Sequence, residues 1–159
     1  MPTAAPSRDG PEPAAIHARQ RWMSVLAKAP AEAVERAWRD LRPPPGYDLL
    51  RPAETGLAMI QARMGGSGRP FHLGEMTMTR CAVRLADGTT GFSHIAGRDR
   101  RKAELAAAFD ALLQRPADQA RLLADVIAPM ERALLARKQA TADKVAATKV
   151  EFFTLARGD

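Results

Sequence analysis

Apolar residues recur at three- and four-residue spacing from Pro13 to Lys28, with Ile16, Trp22, Met23 and Leu26 on one stripe, and this predicts a first helix. Ala29-Pro30 interrupts it, and Pro30 suits the start of a second, short helix from Ala31 to Leu41 with Val34, Ala37, Trp38 and Leu41 on one face. Arg42-Pro43-Pro44-Pro45-Gly46 cannot continue a helix and reads as a stiff linker. The period then changes from about four to two. Tyr47–Arg51 and Thr55–Arg63 read as two short strands parted by Pro52-Ala53-Glu54. Phe71, Leu73, Glu75, Thr77, Thr79, Cys81, Val83 and Leu85 share one parity of a long strand, with a bulge expected at Gly74. Asp87-Gly88 is a hairpin turn into a returning strand, Thr89 to Ala96. Helical spacing resumes at Asp99 or Arg100 and carries Ala103, Ala106, Phe109, Ala111, Leu112 and Leu113 up to Pro116. A second stripe, Leu122, Val126, Ile127, Met130 and Leu134, follows, and Pro129 either kinks that helix or starts a new one. The expectation is an α+β fold: N-terminal helices, a central antiparallel sheet of about four strands and a long helical C-terminal half.

Residues 1–12 are rich in Pro, Gly and small residues without periodicity and read as a disordered arm before a single domain, 13–159. At the other end the apolar pattern thins through Ala140–Ala147 and revives at Val150, Phe152, Phe153 and Leu155. Bulky residues at the end of an alanine-rich helix are poorly employed by a lone monomer. They are candidate interface anchors, against a second copy or another protein.

Composition narrows the reading. Hydrophobic residues are 46% of the 159, but 32 residues are alanine, so the core is thinner than that share suggests. One cysteine, Cys81, excludes an internal disulfide framework, a cysteine-rich zinc site and a self-contained iron–sulfur cluster. No apolar run approaches the ~20 residues that span a bilayer, and no secretory pattern opens the chain. The reducing cytoplasm is the default, with no membrane association expected. The net charge of +6 is spread along the chain, and the eight aromatic residues do not interleave with its one basic cluster, Arg98-Asp99-Arg100-Arg101-Lys102. That pattern argues against nucleic acid.

The candidate chemistry is sparse. Gly65, Gly66 and Gly68, flanked by Arg63 and Arg69, could bring backbone amides to an anion, yet the loop lacks a phosphate-loop pattern and precedes a strand. A plain strand-to-strand connection fits it as well. Arg98 stands at a turn into a helix that Asp99 can cap, and basic residues there oppose the helix dipole, which favours an anion or a partner carboxylate beside them. His17, His72 and His94 are scattered, and no metal site is expected. Cys81 lies on the apolar parity of its strand and reads as a buried small residue. No catalytic set is legible.

Several segments in order nonetheless carry a resemblance. They are Arg19-Gln20-Arg21-Trp22-Met23-Ser24-Val25-Leu26-Ala27, Ala53-Glu54-Thr55-Gly56-Leu57 and Gln61-Ala62-Arg63-Met64-Gly65-Gly66-Ser67-Gly68. Leu73-Gly74-Glu75, Thr77-Met78-Thr79-Arg80, Gly97-Arg98-Asp99 and the end from Val150 to Asp159 complete the set. From about Arg19 onward the chain resembles the PhnG family, the G subunits of bacterial carbon–phosphorus lyase core complexes. The resemblance implies a role in phosphonate catabolism beside PhnH, PhnI and PhnJ, in functional association with PhnL. In that family, subunits G, H, I and L replace the adenine of ATP by a phosphonate, giving ribose 1-phosphonate 5-triphosphate. The nucleosidase-like step is attributed to subunit I and the radical, iron–sulfur step to subunit J. The chain alone is then expected to hold no cofactor and to be inactive. A standalone module for RNA or a phosphorylated metabolite is the alternative.

Overall fold

The computed structural model describes residues 13–148; the proposed arm, 1–12, and the candidate anchors Val150, Phe152, Phe153 and Leu155 lie outside the described residues. Helices α1 (Pro13–Lys28) and α2 (Ala31–Asp40) precede strands β1 (Tyr47–Arg63), β2 (Pro70–Leu85) and β3 (Thr90–Ala96). Helices α3 (Arg100–Leu113), α4 (Pro116–Leu122) and α5 (Ala128–Ala147) follow. The strands form one antiparallel sheet in the order β1-β2-β3. The fold is α+β with a long C-terminal helical segment, as expected.

The sheet has three strands, not four. Tyr47–Arg51 and Thr55–Arg63 are one strand, whose pairing to β2 shifts register between Leu49 and Arg51 and again between Arg51 and Glu54. Pro52 cannot donate to a ladder, but β1 is an edge strand and Pro52 falls within a register shift, so the strand runs through it. The bulge expected at Gly74 is present: Ile60 pairs with Gly74 and Gln61 with His72, leaving Leu73 as the extra residue. The turn after β2 closes through Gly88 in the left-handed region (φ 88°) and Thr89 N–H donating to Asp87 Oδ1 at 2.9 Å.

Helix α3 is the centre of the molecule. All its residues from Lys102 to Leu113 are buried except Glu104, which is half-buried, so it has no solvent face and its sequence shows no clean amphipathic stripe. Its alanines let it lie close on β2 and β3, while α1 and α2 pack on its remaining sides through Trp22, Leu26, Val34 and Trp38. Trp38 meets Phe109 edge-on at 5.4 Å between centroids and Tyr47 at 5.6 Å. Leu122, Val126, Ile127 and Met130 close the core from the C-terminal side with Leu134 half-buried against it, whereas Leu135 is exposed. Pro129 stands in the first turn of α5, one of the two places expected for it. A π turn, Leu123–Ile127, joins α4 to α5 directly before it, and the wider turn accommodates a residue without an N–H.

Tyr47 ties β1 to α3 by donating its hydroxyl to Glu104 Oε1 at 2.5 Å. Burial, reinforced by the Glu104 carboxylate, pushes this phenol from its ordinary 10 up to about 12. Tyr47 is the chain's one tyrosine, so phenolate absorbance reports it alone. The native protein is expected to titrate near pH 12 and the urea-unfolded chain near 10. The folded state holds the proton more tightly. Its contribution to stability is therefore complete below pH 10 and is lost as pH rises toward 12. A native midpoint at the ordinary value would show that the Tyr47–Glu104 contact does not persist in solution.

Candidate functional site

The sequence places its candidate contact residues at two points, and the fold sets them apart. Beyond Met78, which pairs with Ala96 at the end of β3, strands β1 and β2 continue as a two-stranded ribbon without a third strand. Its tip is a single 3₁₀ turn, Met64–Gly66, with Gly65 at φ 61° and Gly66 at φ 82°. Gly68 N–H donates to Met64 O at 2.8 Å, and the Arg63 guanidinium donates to Gly68 O at 3.2 Å. Arg63 thus braces the loop from within, while Arg69 stands exposed beside it. Arg98 lies at the other end, in the β3–α3 turn, where Gly97 N–H donates to Thr77 O at 2.9 Å. The seven residue steps from Thr77 to Pro70 put roughly 23 Å of strand between Arg98 and the glycine loop. One small anion cannot bridge the two.

The basic cluster around Arg98 is partly consumed by the fold. Asp99 caps α3, accepting from Lys102 N–H at 2.9 Å. Lys102 is buried and its ammonium donates to Ala27 O at 2.7 Å, a carbonyl in the last turn of α1. Burial lowers the Lys102 pKa from its ordinary value. Arg101 donates to Tyr47 Oη and Glu104 at 3.3 and 3.2 Å. So two of the four cations near the start of α3 hold other elements in place. Arg98 and Arg100 are exposed, as is Arg101 outside its two contacts.

No reactive pair is assembled from the titratable groups seen in sequence. His72 approaches Gln61 across the ribbon at 3.3 Å, and His94 stands on β3 opposite Arg80. Among the described residues, no group of three or more His, Cys, Asp or Glu is placed to hold a metal ion. Cys81 is buried and donates to Arg51 O at 3.3 Å, and burial pushes its thiol up, away from the thiolate a nucleophile needs. A groove of about 820 Å³ between α1 and α5 is rimmed by Lys28, Arg137 and Lys138 over Val25, Leu134 and Leu135.

The most connected polar group is one that sequence reasoning passes over. Asp110, fully buried in α3, accepts from Arg19 Nε and Nη2 at 3.1 and 2.6 Å, Trp22 Nε1 at 2.9 Å and Phe92 N–H at 2.9 Å. Arg19 and Trp22 belong to the Arg19-Gln20-Arg21-Trp22 segment, and Arg21 forms an ion pair with Glu131 on α5. These motif residues join helices and sheet. The local context of Asp110, an apolar run from Leu105 to Leu113 that it alone interrupts, does not indicate where its donors come from.

The model of the family described as "Phosphonate metabolism protein PhnG" matches residues 17–158. A relative from Rhizobium meliloti (strain 1021), named alpha-D-ribose 1-methylphosphonate 5-triphosphate synthase subunit PhnG, is 38% identical over 146 residues, covering 92% of this chain and 93% of its own. On the extent of both matches, the chain belongs to the PhnG family of phosphonate metabolism proteins.

Proposed function

We propose that this chain is a non-catalytic subunit of a ribose 1-methylphosphonate 5-triphosphate synthase complex in organic phosphonate catabolism. The observation that carries the reading is its 38% identity, over nearly the full length, to a relative named as such a subunit. The structure supports an architectural role. Among the described residues no buried side-chain nitrogen or oxygen lacks a hydrogen-bond partner, so the buried polar groups hold the elements of the fold together. With subunits H, I and L, the complex transfers the ribose triphosphate of ATP from adenine to a phosphonate. PhnJ completes the core assembly, in the cytoplasm. No helix among the described residues is long and apolar enough to cross a membrane.

Co-expression with the neighbouring phosphonate genes, followed by purification and an assay of phosphonate-dependent adenine release, tests this. Activity is expected from the complex and none from the isolated chain. A pure chain that releases adenine, or a complex equally active without it, overturns the reading. A stable monomer that binds RNA or a phosphorylated metabolite and recovers no subunit favours a standalone module.

Three regions are proposed contacts within the complex: the glycine loop with Arg63, the turn at Arg98, and the C-terminal segment from Val150 to Asp159. Arg63→Ala and Arg98→Ala are expected to weaken assembly or activity through separate contacts, and unchanged behaviour of both removes the arginines from the site. Deleting Val150 to Asp159 is expected to leave the circular dichroism of the sheet intact and reduce recovery of the complex. Wild-type recovery would show that Phe152, Phe153 and Leu155 are not anchors.

A further inference from the structure

The ribbon formed by the outer halves of β1 and β2 is built to be covered. Residues 55–62, Thr-Gly-Leu-Ala-Met-Ile-Gln-Ala, contain no charge and no proline, and they lie on the outer edge of the sheet. Proteins that keep such an edge free blunt it with lysine, proline or a bulge. The bulge here sits in β2, at Leu73, and leaves the outer edge of β1 regular. The faces are bare as well. Leu57 is 68% exposed, Met59 56% and Leu73 63%, and Met64 at the tip 75%. An isolated two-stranded ribbon of this kind is marginal in water.

We infer that another subunit of the synthase complex docks on this ribbon, adding an extended, uncharged segment as a strand along Thr55–Ala62 and covering its faces. The inference rests on the proposed subunit role. Charge defines the rest of the partner: Arg63 and Arg69 flank the tip, and no carboxylate occurs between Arg63 and His72, so a partner carboxylate belongs beside the tip. A second copy of the chain fits less well. Two-fold pairing of β1 edges would extend the sheet sideways and leave Leu57 and Met59 on one face, and Phe71 on the other, still uncovered.

The test uses the co-expressed complex and the full-length chain alone. Amide exchange over residues 55–62 is expected to slow on assembly, as strand addition demands. Leu57→Asp combined with Leu73→Asp is expected to leave the melting of the free chain unchanged and to cut recovery with the other subunits by roughly tenfold or more. Equal exchange in the complex and the free chain overturns the inference, whether or not the double variant folds. Wild-type recovery of a folded double variant also overturns it. Protection of residues 55–62 in a dimer of the isolated chain assigns the edge to a second copy instead. If the wild-type complex forms and releases adenine while any of these three results holds, the ribbon assignment alone fails. A wild-type chain that recovers no subunit overturns this inference together with the subunit role.

Discussion

Gly91→Ala is expected to lower the melting temperature by roughly 10 °C, the consequence of about 3 kcal/mol of overpacking in a chain of this length. Gly91 lies in β3 directly beneath α3. A Cβ there would stand 2.0 Å from Ala107 O, 2.5 Å from Ala111 N and 2.8 Å from Ala111 Cβ. Two of these atoms are helix backbone, so no side-chain rotation relieves the clash and the helix itself must lift off the sheet. Gly91→Val adds two methyl groups to the same gap and is expected to abolish cooperative folding. Gly56 provides the control. It too is a strand glycine, but a Cβ there meets nothing within 4 Å, and Gly56→Ala is expected to be neutral or slightly stabilising. Thermal unfolding followed by circular dichroism distinguishes them. Equal melting of the Gly91→Ala and Gly56→Ala proteins would mean that α3 and β3 are not in close contact in solution.

The second large effect belongs to Asp110. Removing its carboxylate leaves the Arg19 guanidinium, the Trp22 indole N–H and the Phe92 amide without their acceptor. Breaking a buried ion pair from one side costs about 3–5 kcal/mol, because the stranded partners lose their solvation as well as the bond. Asp110→Ala should therefore lose a large part of a total stability of order 5–15 kcal/mol. Asp110→Asn is not conservative, since either carboxylate oxygen already accepts from several donors and an amide NH₂ would face them. Arg19→Met is expected to cost less. The Arg19 side chain is one-third exposed, and Asp110 keeps Trp22, Phe92 and Gln114 as donors. Combining Asp110→Leu with Arg19→Met should recover only part of the loss, because the indole and amide remain unpaired. Urea denaturation gives the comparison. An Asp110→Ala protein no less stable than one with the exposed Asp125→Ala would contradict this account.

Local chemistry determined what the sequence shows plainly. Helix spacing from Pro13 and from Arg100, the Asp87-Gly88 turn, the Asp99 cap and the bulge at Gly74 depend on neighbours a few residues away, and the motif segments in order were enough to indicate the family. What spans long sequence separations was decided by packing alone. Pro52 parts two strands in a local reading, yet an edge position asks no N–H of it, and β1 runs through. Arg63 and Arg98 look alike as flanked arginines, but the length of an unsupported ribbon separates them. Lys102 reads as one more surface cation and instead caps the last turn of α1 from 75 residues away. Asp110 carries no local pattern at all, because its donors come from α1, 91 and 88 residues back in sequence, and from β3. The spacing from Arg100 announces the helix, but a helix buried on nearly every side offers no solvent face that would set Asp110 apart, and a buried carboxylate is recognisable only when the donors that offset its desolvation are in place.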